Sequence, residues 1–265
     1  MIELKIEVKK ALRLLGSQQK ASLVCPYCGS EVQSYTEGVA ICNLCEMPVG
    51  TDSTAPLDNP QLKEILVARA SAIFSGQWET ALEISSQLEG HSELPILYGN
   101  AIFYACYSEY LYNKTNYTLG GFMEENATNK ELSNAMYMKS KDFLFKALNR
   151  LNAKAGQLAG DELYMNALIS IKLGKRAVAA REIDELSKLN YAQIAIDYLK
   201  LLLSMSSNNI RESEILINKL INAGETNSIY LASKLLSGND PKSAKLLYGT
   251  LTKKILAFSL RPKPF

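Results

Sequence analysis

The spacing of apolar residues changes once along this chain, near residue 60. From residue 61 to residue 258, apolar positions recur with a period of about 3.6 residues, which predicts successive amphipathic α-helices. Upstream, residues 31 to 42 read as one short strand, a Thr36-Glu37-Gly38 turn and a second strand. The pattern therefore predicts a mostly α-helical protein with a small β region near its N-terminus.

Residues 1–20 have an amphipathic pattern of their own. The apolar residues that share one helix face are Leu4, Val8, Ala11, Leu12 and Leu15. We predict a helix that ends near Gly16. Because the opening IELKIEV also alternates between apolar and polar residues, a strand is the alternative there. Lysines and an arginine outnumber two glutamates, so this basic segment is expected to pack on the helical array or on a partner.

Four of the five cysteines form two pairs, Cys25-x2-Cys28 and Cys42-x2-Cys45. Each C-x-x-C pair makes a tight turn, and a hairpin that joins two such turns supplies the four thiolates of a tetrahedral zinc site. Two disulfides are the weaker alternative, because they need an oxidising compartment. A redox C-x-x-C is expected beside a βαβ pattern, which is missing here. Four thiolates leave zinc no open position, so one structural Zn²⁺ is predicted.

The CPYCG stretch at Cys25–Gly29 resembles the knuckle of the zinc-ribbon family. The ribbon domain is predicted over residues 21–50, and the resemblance covers roughly residues 23 to 50. It departs at Glu46, where the ribbon family usually has glycine. Zinc ribbons often contact nucleic acid, but residues 21 to 62 contain no lysine or arginine and would repel phosphate. The ribbon is therefore expected to contact protein, in cis or in trans. Four residues are either exposed for that contact or packed in the ribbon and against the chain: Tyr27, Tyr35, Leu44 and Met47.

Residues 51–60 are rich in proline and polar turn residues and are predicted to be a linker. Beyond it, FSGQWETALEI places Gly76, Trp78 and Ala81 in a pattern that resembles tetratricopeptide (TPR) repeats. Further small residues recur at intervals near the ~34 residues of that repeat, with one long insertion; they are Ala147, Ala179, Ser213 and Ala244. The resemblance implies five helical hairpins across residues 61–258, starting near residues 61, 94, 158, 191 and 226, and a protein-binding groove. An irregular helical domain is the alternative.

Two further segments suggest partner contacts. Residues 113–129 interrupt the second hairpin with a polar, glycine-containing stretch, in which Tyr117, Phe122 and Met123 are candidate protein contacts. The C-terminal end is basic, and residues 259–265 are predicted to be a basic tail. The candidate contacts with RNA or an acidic partner at this end are Lys253, Lys254, Arg261 and Lys263.

No motif in the chain points to catalysis. The single histidine, His91, has no nucleophile or metal-ligand companion at a suitable spacing, and no phosphate-binding loop or nucleophile elbow is found. We therefore expect no enzymatic activity and no small-molecule substrate. The first residues lack the apolar core of a signal peptide, so a cytoplasmic protein without membrane contact is expected.

The leading hypothesis is a non-enzymatic adaptor that binds a protein partner through the helical array. The alternative is an RNA- or ribosome-associated factor that uses the basic N- and C-terminal ends. The net charge of the whole chain, +2, favours neither.

Overall fold

A computed structural model describes residues 4–18, 21–34, 38–50, 59–117, 123–154, 158–255 and 257–258. Within these residues the chain has eleven helices and two small antiparallel β-hairpins, which confirms the mostly α-helical class with a small N-terminal β region. The helices are α1 Val8–Gly16, α2 Pro60–Phe74, α3 Trp78–Gln87, α4 Leu94–Tyr117, α5 Met123–Asn152, α6 Gly160–Lys172, α7 Arg176–Lys188, α8 Gln193–Ser206, α9 Ile210–Asn222, α10 Asn227–Leu236 and α11 Pro241–Lys254. The strands are β1 Ala21–Val24, β2 Glu31–Ser34, β3 Val39–Ile41 and β4 Pro48–Gly50.

Helices α2 to α11 pack as five consecutive pairs within the described residues. The first helices of these pairs begin at Pro60, Leu94, Gly160, Gln193 and Asn227, each within two residues of an expected hairpin start. The second helix of each pair carries one of the small residues, which all lie in the core with at most 1% exposure: Ala81, Ala147, Ala179, Ser213 and Ala244. Small side chains at these positions let neighbouring helices approach closely.

The same backbone turn ends helices along the array. At the end of α6, Gly174 has a φ of +74°, and the next amide, of Lys175, donates to the Ser170 carbonyl oxygen at 2.8 Å. This is the left-handed helix cap for which glycine is preferred. At the ends of α7 and α8, Asn190 and Asn208 take the same role with φ values of +52° and +56°.

The N-terminal helix, predicted within residues 1–20, begins later than expected at Val8 and ends at Gly16, where its end was expected. Before Val8, the chain lies along α9, and its backbone groups form hydrogen bonds with side chains of α9. The Lys5 amide donates to Glu214 Oε1 at 3.0 Å, and the Lys5 carbonyl accepts from Asn218 Nδ2 at 2.9 Å. Backbone groups used in this way cannot form a helical ladder, so the helix starts later. Helix α1 itself packs against α9 and α11.

The strands pair differently from the prediction. Within the described residues, the ladders join β1 to β2 and β3 to β4, and no ladder joins β2 to β3. Each C-x-x-C turn closes its own hairpin, because the Cys25 amide donates to the Ser30 carbonyl at 2.9 Å and the Cys42 amide donates to the Met47 carbonyl at 2.8 Å. A sequence interpretation centred on the turn near Gly38 missed β1 and β4.

The β-hairpins share one apolar core with the helices. Tyr27, Leu44 and Met47 are buried, with exposures of 4%, 7% and 0%, so they pack inside the protein rather than on an exposed surface. Tyr35, the basic tail at residues 259–265 and residues 51–58 of the predicted linker lie outside the described residues. None of the helices in the described part of the chain is long and apolar enough to cross a membrane.

Candidate metal centre

The two C-x-x-C turns have matching backbone geometry. In the first turn, the Gly29 amide donates to the Cys25 carbonyl at 2.9 Å, and in the second the Glu46 amide donates to the Cys42 carbonyl at 3.0 Å. Gly29 and Glu46 both have left-handed backbones, with φ values of +77° and +67°. The departure from glycine at Glu46 therefore changes the side chain and leaves the turn intact.

The four cysteine sulfurs lie close enough together to hold one ion. The Sγ atoms of Cys25 and Cys45 are 3.5 Å apart, those of Cys28 and Cys42 are 3.7 Å apart, and all four lie within 4.8 Å of one another. Zinc–thiolate bonds of about 2.3 Å place the sulfurs of a tetrahedral site roughly 3.8 Å apart. The cysteines thus fit one tetrahedral ion and fill all four positions around it.

Hydrogen-bond donors surround the sulfurs. The Cys45 amide lies 3.5 Å from Cys42 Sγ, and Ser30 Oγ lies 3.1 Å from Cys28 Sγ and 3.3 Å from Cys42 Sγ. Burial raises the pKa of Cys25 and Cys45. Burial also acts to raise the pKa of Cys42, but hydrogen bonds from the other three thiols and the Cys45 amide hold it below its ordinary value.

Three tyrosines from three different helix pairs hold the second turn. The hydroxyl of Tyr98 donates to the Cys45 carbonyl at 2.7 Å, that of Tyr164 to the Glu46 carbonyl at 3.0 Å, and that of Tyr198 to Glu46 Oε1 at 2.9 Å. All three tyrosines are fully buried. Burial raises the pKa of Tyr98 and Tyr164, so both keep the proton that they donate. These bonds attach the metal-binding turn to α4, α6 and α8.

The Glu46 side chain explains why glycine is absent from the second turn. Its carboxylate accepts from Tyr198 and forms an ion pair with Lys172 of α6. A left-handed backbone costs a non-glycine residue about 1–2 kcal/mol, and this buried carboxylate supplies contacts that glycine lacks. Sequence reasoning treated Glu46 only as a departure from the family pattern. A lone acidic residue after C-x-x-C gave no signal of its distant partners.

Further contacts join the β-hairpins to the helices, including those of the two remaining pairs, α2–α3 and α10–α11. On α10, Asn227 Nδ2 donates to the Ile41 carbonyl at 3.1 Å. At the start of α6, Asp161 accepts from the Tyr27 hydroxyl at 2.9 Å. On α2, the backbone at Leu66 lies against Gly29 so closely that a Cβ there would be 2.4 Å from the Leu66 carbonyl. All five helix pairs therefore contact the β-hairpins that carry the four cysteines.

The other candidate contact residues lie far from this centre in sequence and are only partly described. Lys253 and Lys254 are exposed in the last turn of α11, while Arg261, Lys263 and Phe122 lie outside the described residues. Tyr117 ends α4 and Met123 begins α5, and their side chains are likewise not described.

The segment at residues 113–129, which the sequence predicted to interrupt the second hairpin, is helical wherever the structure describes it. Residues 113–117 and 123–129 are helical and extend α4 and α5. Ser108 and Ser133 lock the two helices together, since each hydroxyl donates to the other residue's carbonyl at 2.8 Å. Two small serines at this crossing allow close packing, which the polar composition concealed.

Among the described residues, the four cysteines are the one cluster of three or more cysteine, histidine or acidic side chains close enough to share an ion. His91 pairs with Glu93 at 3.4 Å on the surface. Comparisons with protein-family models, with curated proteins and with solved structures find no match for this chain. The interpretation of the site therefore depends on its own geometry.

Proposed function

We propose that this protein is a non-enzymatic scaffold in which one structural Zn²⁺ holds a zinc ribbon inside a TPR-like helical array, and that the array binds a protein partner. The observation that carries the proposal is the closed set of four buried thiols, Cys25, Cys28, Cys42 and Cys45, with tetrahedral spacing. A metal without an open position organises structure and does not activate a substrate. Since all five helix pairs contact the ribbon, the ion organises most of the protein.

The partner site is expected away from the helices that face the ribbon. Helices α4, α6, α8 and α10 each contact the second β-hairpin through a polar side chain, so the surface that such arrays offer to a peptide is engaged within the chain. The outer helix α5 instead exposes four large apolar residues, of which Leu132 is the least exposed at 38%. Tyr137, Met138 and Phe145 are 50%, 62% and 44% exposed. Met138 and Phe145 are two helical turns apart on the same face of α5, and exposed apolar side chains that group in this way commonly mark a protein contact.

The test is affinity purification from the native organism after nuclease treatment. One triple variant, the α5 variant, changes Tyr137, Met138 and Phe145 to serine. A matched control changes three residues of similar exposure elsewhere, namely Leu189, Ile215 and Leu246, which are 44%, 62% and 52% exposed. A protein partner that is retained by wild type and the control but absent from the α5 variant supports the proposal. An identical set of retained proteins for all three chains contradicts it.

RNA binding is the second candidate function, and one observation favours it. Helix α1 packs against α11, so the basic residues that these two helices carry lie on adjacent elements. Charge reversal to glutamate at Lys253, Lys254, Arg261 and Lys263 should then abolish RNA binding. The matched control reverses Lys175 and Arg176 and spares Lys172, because Lys172 pairs with Glu46. The slope of log affinity against log salt should fall by about 0.7–0.9 for each phosphate that the variant no longer neutralises. Wild-type protein without salt-dependent RNA binding would exclude this candidate.

A further inference from the structure

A buried arginine lies beside the first C-x-x-C turn. Arg69, on α2, is 1% exposed. Its Nη1 donates to Asn100 Oδ1 on α4, and its Nη2 lies over Gly99, where a Cβ would be 2.4 Å away. Glycine at position 99 thus leaves the space that the guanidinium fills. Sequence reasoning missed this residue, because nothing in its helical pattern distinguishes it from an exposed arginine.

The first C-x-x-C turn borders the same space. The Tyr27 carbonyl oxygen is 3.2 Å from the same Cβ position over Gly99. On the other side of Cys28, Gly29 abuts the α2 backbone at Leu66, one turn before Arg69. Cys28 therefore lies between Tyr27, whose carbonyl oxygen faces the space next to the guanidinium, and Gly29, which packs on the α2 backbone one turn before Arg69.

The charge of Arg69 has no conventional partner in the described residues, where it forms no ion pair with a carboxylate. Burial lowers the pKa of Arg69 to about 10, and the negative charge of Cys28 is the first influence that opposes this change. A buried charge without a counter-charge is costly. Lys172, another cation near the site, is already paired with Glu46. Lys63 lines a surface pocket with Cys25 and Gly29 and is only partly buried, whereas Arg69 is fully buried.

The metal-loaded site would instead carry a negative charge without a counter-cation. Four thiolates and one divalent ion carry a net charge of −2, and the four cysteines are at most 3% exposed. An anion this deeply buried is stabilised by a nearby cation, since interactions between charges are stronger where water is excluded. The metal-loaded site lacks a counter-cation, and Arg69 lacks a counter-anion.

We propose that Arg69 is the counter-charge of the metal–thiolate centre, an electrostatic positioning residue that strengthens binding of a divalent ion by the four cysteines. The inference rests on the proposed zinc site. A wild-type protein that binds no zinc would contradict the proposed function itself. If the wild-type protein binds zinc but removal of the charge at position 69 leaves the zinc affinity unchanged, only this inference is contradicted.

The experiment measures zinc affinity by competition with a chromophoric chelator, together with urea unfolding of the metal-free and zinc-loaded full-length chain. Arg69→Met, which keeps much of the volume without the charge, should weaken zinc affinity on the order of tenfold or more. The same substitution should not destabilise the metal-free protein, because it removes an uncompensated buried charge. Arg69→Lys, which keeps the charge, should retain most of the affinity. Lys234→Met, at an exposed lysine in the last turn of α10, is the control and should change nothing.

A second variant keeps the guanidinium and cancels its charge. Asn100→Asp has the shape of the native side chain and places a carboxylate on Arg69, so it should weaken zinc affinity in the same way as Arg69→Met. It keeps the inference testable even if Arg69→Met does not fold. Equal loss of stability in both metal states with unchanged zinc affinity would show that Arg69 only fills space. Equal loss of zinc by Arg69→Lys and Arg69→Met, or unchanged affinity in Asn100→Asp, would also overturn the inference.

Discussion

Replacing Gly29 with alanine tests the packing of the first C-x-x-C turn on α2. With a φ of +77°, Gly29 has a backbone conformation that alanine adopts only with strain. A Cβ at this position would also lie 2.4 Å from the carbonyl carbon and oxygen of Leu66 and 2.6 Å from the amide nitrogen of Val67. These are backbone atoms of a helix, so the clash can be relieved only if the turn or α2 moves.

Gly38 provides the matched control within the same β region. Its φ is +84°, yet a Cβ there would have no neighbour within 4 Å. Both substitutions should cost about 1–2 kcal/mol for the left-handed backbone. Only Gly29→Ala should cost an additional ~1–3 kcal/mol for overpacking. In a protein of this size, each kcal/mol lowers the midpoint of thermal unfolding by roughly 2–4 °C.

The measurement is thermal unfolding of the zinc-saturated variants, followed by the helical circular dichroism signal, with bound zinc determined in parallel. We expect Gly29→Ala to melt several degrees below Gly38→Ala and to bind zinc more weakly. Equal melting temperatures for the two variants would refute the reasoning, because they would show that the turn does not press on the α2 backbone.

Three further predictions use single substitutions. Ala81→Leu and Ala179→Leu should each cost about 1–3 kcal/mol in urea unfolding, because both alanines are fully buried; unchanged stability in both would contradict the close helix crossings. Burial raises the pKa of Glu182 to about 7, above the 4.5 of an exposed glutamate, so stability should fall as the pH rises from 4.5 to 7. Glu182→Gln should remove that loss and stabilise the protein at pH 8, whereas the exposed control Asp184→Asn should keep the wild-type pH slope. Cys42→Ser should lower bound zinc from one ion per chain to none by metal analysis, and retention of the ion would disprove four-cysteine ligation.

The helical array was predictable because its signals are local. A glycine turn and a small residue recur in FSGQWETALEI and in later repeats, and each first helix begins within two residues of its expected position. The clustering of the four cysteines was predictable for the same reason, since C-x-x-C spacing alone brings two sulfurs together. Asn190 and Asn208 were missed as helix caps because glycine is the usual signal of such a turn, although asparagine tolerates the same left-handed backbone.

The way in which the ribbon lies within the array could not be read from the sequence. Glu46 meets residues more than a hundred positions away, and Arg69 meets a turn that precedes it by some forty. Such contacts depend on the packing of all the helix pairs and leave no periodic trace along the chain. The linker predicted over residues 51–60 divided the ribbon from the array, whereas the structure places residues of both in one core.

This shared core changes what metal removal should do. An isolated ribbon has almost no core, so losing zinc would unfold it and leave a separate array unaffected. Here, however, the buried hydroxyls of Tyr98, Tyr164 and Tyr198 donate to the second C-x-x-C turn. If that turn unfolds, each hydroxyl is left without its acceptor, at a cost of up to about 1–3 kcal/mol unless water replaces it.

Zinc removal should therefore lower the melting temperature of the helices, even where the helical signal at low temperature is largely kept. The assay compares circular dichroism melts and amide hydrogen exchange with and without a chelator. Cys42→Ser is the control for direct effects of the chelator, because that variant should already melt at the lower temperature and respond no further. Helices α4, α6 and α8 should lose exchange protection first, since each donates a tyrosine hydroxyl to the turn, while α3 and α7 should lose it later. Helices that melt at the same temperature with and without zinc would mean that the ribbon rests against the array without stabilising it. The three tyrosine bonds would then contribute only orientation.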